Sequence, residues 1–186
     1  MYQLLEAIRQ YAKERSLTVF RRDPEKGLWI PGNNLKACLK EAASIAANSG
    51  RLPEKTFYGV GRLKKAIKAW LPEHLWVTER RLYLGKQSEG YVAQSFPKLQ
   101  NRIAGGPSRA IKYTEVCEDV TIDFTIGVDW EISDDHWGAI WTTAERIGLG
   151  ADRSHFGQFE VTKWERTKAN RKQVMQPPKE EEALTV

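Results

Sequence analysis

The stretch Gly148-Leu149-Gly150-Ala151-Asp152-Arg153-Ser154-His155-Phe156-Gly157-Gln158-Phe159-Glu160-Val161 constrains the fold of this chain more than any other. Glycines stand at 148, 150 and 157, between an amphipathic helical pattern and an apolar segment with the character of a strand. Glycine frees the backbone for positive φ and for close approach to another group. The stretch is therefore either a tight helix-to-strand corner or a loop that lies against a ligand's backbone, a phosphate chain above all. Arg153 and His155 are the groups it presents, with Ser154 between them. It is not a dinucleotide fingerprint: the glycine spacing is wrong, and a helix leading into a strand reverses the order of a Rossmann turn. No Gly-Lys-Ser/Thr follows, which excludes a Walker A loop.

The patterns on either side supply a frame. Ser133 is a good helix N-cap, and Asp134 and Asp135 in the first turn favour the helix dipole. Trp137, Ile140, Trp141, Ala144 and Ile147 then form one apolar stripe at helical spacing. Upstream, Val120 to Val128 alternates as a strand should, and Phe156 to Trp164 reads as a last strand. In the N-terminal half, a helical stripe over residues 2–14 precedes a strand, Leu17 to Phe20. The turn signal Asp23-Pro24-Glu25-Lys26-Gly27 leads into a strand at Leu28-Trp29-Ile30. Pro31-Gly32-Asn33-Asn34 breaks that strand and starts a helix, Leu35 to about Ala47, which Asn48-Ser49-Gly50 stops. Its buried stripe is Leu35, Leu39, Ala42 and Ala46, and Cys38 within it reads as a buried free thiol. Between the halves, Gly61 to Trp70 is predicted as a short basic helix, Leu75–Val77 and Arg81–Leu84 as short strands, and Gln87 to Ser108 as loop. The expected fold is α+β: a ferredoxin-like (RRM-like) split β-α-β domain with a basic insertion between its halves. It is expected to be one domain over 1–166, with the insertion at 51–112 and a polar, disordered tail at 167–186.

The net charge of +5 conceals a strong asymmetry. Residues 51–112 hold thirteen Lys and Arg against four Asp and Glu, whereas residues 113–160 hold two against eleven. A basic middle followed by an acidic block suits a polyanion site, or the stacking of copies basic face to acidic face; a surface that mixes both signs into ion pairs is the plain alternative. Two cysteines make no disulfide framework and lack metal-ligand spacing. The three histidines, His74, His136 and His155, show no zinc spacing, so neither a metal nor a cofactor is expected. No apolar run approaches the ~20 residues of a membrane span, and the N-terminus lacks a signal pattern, so no membrane partner and a cytoplasmic location are expected.

The distribution of basic residues favours nucleic acid. Arg62, Lys64, Lys65 and Lys68 lie in one short stretch. Lys98, Arg102, Arg109 and Lys112 punctuate a loop that also carries Tyr91 and Phe96. Cations interleaved with aromatics suit a single strand, where phosphates meet charge and bases stack. Asn34, Lys36 and Lys40 at the start of the first long helix, with Arg153 and His155 in the glycine loop, complete the candidate nucleic-acid-binding residues. Catalysis has little to stand on: no nucleophile is paired with a base, and the acidic residues read as a solvent face and a helix cap.

At these residues the chain resembles a family. Trp29-Ile30-Pro31-Gly32-Asn33-Asn34-Leu35-Lys36-Ala37, a strand-to-helix turn like "IPGSSLKG", and the stretch Gly148 to Phe159 are similar to motifs of the RAMP superfamily. These are the CRISPR-associated RNA-binding proteins, and the likeness is nearest to the repeating backbone subunits of their effector complexes and to phage-borne relatives. Arg109 to Val128, with Tyr113-Thr114-Glu115-Val116, resembles the family's central "R…E-x-V" segment. The resemblance covers roughly 17–47 and 109–164. The chain departs from it at Asn33-Asn34, where Ser-Ser is usual, at Ala37, where glycine is common, and at Gln158, where an arginine is common. The resemblance implies a ferredoxin-like fold and a non-catalytic subunit that binds single-stranded nucleic acid, RNA in particular, and assembles with copies of itself or related RAMP subunits along it. It leaves two alternatives: a metal-independent endoribonuclease using His155, and a phage or prophage assembly protein that uses the fold for protein contacts only.

Overall fold

A computed structural model describes residues 17–52, 57–58, 65–85, 90–95, 98–99, 108–109, 112–150 and 153–168. The helix expected over 2–14 and nearly all of the tail expected at 167–186 lie outside them. In chain order the elements are β1 (Leu17–Thr18), β2 (Arg21–Asp23), β3 (Gly27–Pro31), α1 (Gly32–Asn48), β4 (Phe57–Tyr58), β5 (Lys65–Ala66), α2 (Ile67–His74), β6 (Leu75–Val77) and β7 (Arg81–Tyr83). There follow β8 (Tyr91–Ser95), β9 (Lys98–Leu99), β10 (Ser108–Arg109), β11 (Lys112–Val116), β12 (Ile126–Val128), α3 (Asp134–Ile147) and α4 (Arg153–Phe156). The protein is mixed α+β, and among the described residues its strands form small sheets of two or three. The chain divides into two compact units, Met1–Trp29 with Tyr83–Ile122 and Ile30–Leu82 with Asp123–Val186. It crosses between them three times: within β3, at the end of β7, and between Ile122 and Asp123.

In the first unit, β11 lies between β1, which it pairs in parallel, and β8, which it pairs antiparallel. The strand reading of 17–20 holds only for Leu17 and Thr18. Phe20 leaves the ladder because its N–H donates to the Glu115 carboxylate instead, at 2.8 Å. The turn at 23–27 forms as expected: the Asp23 side chain accepts from the N–H groups of Glu25 and Lys26, and β2 and β3 close as a hairpin with Asp23 opposite Gly27. The reading of 87–108 as loop is corrected, since Tyr91–Ser95 pairs residue for residue with Lys112–Val116. Its own sequence hides this: Tyr91, Val92 and Gln94 are exposed, so no buried face imposes an alternation on it.

The second unit is built on helices. α1 buries Leu35, Cys38, Leu39, Ala42, Ala43 and Ala46, and α3 buries Trp137, Ile140, Trp141, Thr143 and Ala144. The two pack on each other, and the small residues of α1 let them approach until Cys38 Sγ–H donates to the Ala144 carbonyl at 3.6 Å. Ser133 caps α3 by accepting from the His136 N–H, with Asp134 and Asp135 in the first turn, as the sequence implies. The helix predicted over 61–70 begins instead at Ile67, after β5, and carries Pro72 in its last turn. Of the strand expected over Val120–Val128, only β12 has a ladder partner, β6, among the described residues. The alternation nevertheless survives, with residues 121, 123 and 125 exposed and their neighbours half-buried.

The last expected strand, Phe156 to Trp164, is not one. Phe156 ends the short helix α4, and residues 157–168 run with no regular structure along α3, held by side chains. The Val161 N–H donates to Glu145 at 2.9 Å. The Trp164 ring sits 5.3 Å from both Trp137 and Trp141, and Arg166 bonds Asp134 and the Ile132 carbonyl. An apolar alternation can be satisfied by a helix face as well as by a sheet, and here the helix face takes it.

Candidate functional site

The two glycine-bearing motifs of the second unit have a packing reason before any chemical one. A Cβ on Gly32 would overlap the Glu79 carbonyl, because the backbone at 79–80 crosses there and the Gly32 N–H donates to Arg80 O at 2.9 Å. Pro31, at the N-cap position, sets φ to −62° as the helix begins. The stretch after α3 closes on itself in the same way. Gly148 has φ +79°, the Leu149 N–H donates to Gly157 O at 2.7 Å, and a Cβ on Gly148 or on Gly157 would strike the other arm's backbone. So Gly148 and Gly157 are spent on a tight corner, and the corner fixes where Arg153 emerges.

Arg153 emerges against α1. Its Nη1 lies 2.8 Å from Glu41 Oε2, with the two side chains 35% and 45% exposed. This joins the motif at 148–157 to the helix that Pro31-Gly32-Asn33-Asn34 starts. On that helix Lys36 is half-buried and Lys40 exposed, one turn apart on the same flank, and Glu41 follows Lys40 directly. Neither lysine has an ion-pair partner among the described residues. Asn34 is half-buried in the first turn, which carries no acid, and no side chain caps the helix. Under the ion pair lies Cys38, whose thiol is pushed up to about 11: burial is the main cause, Arg153 lowers it and Glu41 raises it.

Of the other candidates, Arg62, Lys64 and Arg102 lie outside the described residues. Lys65 falls in β5, Lys68 in α2 and His155 in α4. Lys98 and Arg109 are brought together by the backbone: β9 pairs β10 antiparallel with Arg109 directly opposite Lys98.

The sequence reading missed three polar contacts. Glu41 is one. The second is Glu115, whose side chain is only 3% exposed and whose carboxylate accepts from Phe20 N–H, from Arg22 at 2.6 Å and from Gly90 N–H at 3.0 Å. It thereby fastens three segments of the first unit. The third joins His74 and Asp129, 2.7 Å apart, with His74 stacked on Trp70 at 4.3 Å; it ties the end of α2 to the turn after β12. None of the three has a signal in local sequence, because each partner is remote along the chain or offset from the helix's own stripe.

No group of three or more His, Cys, Asp or Glu is placed to hold a metal ion among the described residues, and no helix among them is long and apolar enough to cross a membrane. These features define a mixed α+β protein whose second unit joins a glycine-closed corner to a long helix through the Arg153–Glu41 ion pair. Comparison of the chain with protein-family models and with curated proteins finds no match.

Proposed function

We propose that this chain is a non-catalytic, RAMP-like subunit that binds single-stranded nucleic acid, RNA in particular, and assembles in copies along it. The observation that carries the reading is the flank of α1. A helix start without an acid or a side-chain cap and Lys36 and Lys40 one turn apart make a cationic flank, and the corner brings Arg153 to Glu41 on the same helix. Helix N-termini and successive cations attract phosphates whatever the sequence of bases.

The finer fold reading, a ferredoxin-like split β-α-β, draws support from strand order. The sheet order β1-β11-β8 follows the first, third and second strands of that arrangement, and β11 pairs β8 antiparallel as it requires, whereas β1 pairs β11 in parallel where it has antiparallel neighbours. The acidic segment 113–160 and the basic segment 51–112 then give neighbouring copies charge of opposite sign with which to meet.

Fluorescence anisotropy with a short labelled oligouridine tests the reading. The native chain binds, and its affinity falls steeply between ~50 and ~200 mM salt. Replacing Lys36 and Lys40 by glutamine weakens binding to every sequence alike and lowers the log–log salt slope by about 1 for each lysine lost. A flat salt response, or a slope that the double variant leaves unchanged, refutes it.

A further inference from the structure

One residue of the helix that carries Lys36 and Lys40 has the wrong sign for a phosphate site, and it touches Arg153. Glu41 Oε2 stands 2.8 Å from Arg153 Nη1. Both ends are more than a third exposed, so water and salt compete for the pair and it is worth little to stability. A carboxylate and a phosphate oxygen use the same donors of a guanidinium fork. Among the described residues Glu41 has no second basic partner and Arg153 no second acidic one.

Resting on the nucleic-acid reading above, we propose that Glu41 is an internal competitor that occupies Arg153 in the free protein and gives it up to a backbone phosphate of the single strand. Binding then exchanges one anion for another on Arg153 instead of filling an empty cation. The exchange lowers affinity for any lone anion, which gains one contact and must displace a tethered rival. It penalises a strand less, because the same strand also engages Lys36 and Lys40. Glu41 thus selects a chain of phosphates over a single one.

Glu41→Gln keeps the helix propensity and nearly the shape of the side chain while removing the charge. In the anisotropy assay it tightens binding of the oligouridine by about fivefold, the equivalent of an exposed ion pair at the top of its usual range. The salt slope steepens by roughly 0.7, one more phosphate neutralised without a protein anion beside it. Arg153→Gln in the native chain changes affinity less than twofold, whereas in the Glu41→Gln background it reverses the fivefold gain; that non-additivity is the signature of the exchange. An unchanged thermal midpoint in the single variants excludes misfolding as the cause. If the native chain binds and Glu41→Gln binds equally or more weakly, the competitor is disproved and the nucleic-acid reading stands. If neither chain binds at the lower salt, both fail.

Discussion

Glu115→Gln is the sharpest test of how the first unit is held. The carboxylate is almost wholly buried, and both of its oxygens are engaged: Oε2 by Phe20 N–H, Oε1 by Arg22 and by Gly90 N–H. Glutamine has nearly the same volume, so no cavity opens, but it has one acceptor oxygen where three donors converge. Whichever way the amide turns, its NH2 faces a backbone N–H or the Arg22 guanidinium. A buried donor left without an acceptor costs about 1–3 kcal/mol. Replacing a charged acceptor by a neutral one weakens the remaining bonds by about half of their ~1.5–3 kcal/mol each. Arg22 is half exposed and recovers water, which keeps the sum at about 3 kcal/mol. For a chain of this size each kcal/mol lowers the midpoint by about 2–4 °C, so the shift is roughly 6–12 °C. Thermal and urea unfolding followed by circular dichroism measure it. Arg22→Gln leaves Glu115 its two backbone donors and costs about half as much. A Glu115→Gln midpoint within about 2 °C of the native value would mean that the carboxylate is not held by three donors and that the three segments are joined in some other way.

Two further outcomes follow from the second unit. Gly157→Ala drives a methyl group into the Leu149 backbone at the closed corner; it lowers stability by about 2–4 kcal/mol, and a loss under ~0.5 kcal/mol in urea melts would show the corner to be open. At Cys38 the thiol stays protonated well past its ordinary pKa of 9.0, up to about 11, because burial disfavours the thiolate. The raised value means that this group's stabilising contribution is complete below pH 9 and declines between pH 9 and about 11, where the unfolded thiol ionises and the folded one does not. At pH 8 its alkylation by iodoacetamide is slower by about a hundredfold than that of a free thiol. Equal rates for Cys38 and the half-exposed Cys117 would refute the burial.

Much of this protein is written locally. The periodic stripe from Trp137 to Ala144, the Ser133 cap and the acids behind it make α3 legible; so do the Asp23 turn and the break at Pro31-Gly32 that precedes α1. These depend on neighbours three or four residues away, which is the range over which a sequence pattern acts. What needed the tertiary structure depends on partners far along the chain. Tyr91–Ser95 is a strand because β11 is beside it, Phe20 leaves the ladder because Glu115 claims its N–H, and the alternation after Phe156 is satisfied by α3 instead of a sheet. The same holds for the candidate site. The sequence marked Arg153 and the glycines around it, and left open a corner or a phosphate cradle. The fold made a corner of Gly148 and Gly157, for their backbones meet, and used it to set Arg153 against Glu41, an ion pair between residues more than a hundred positions apart that no local pattern encodes.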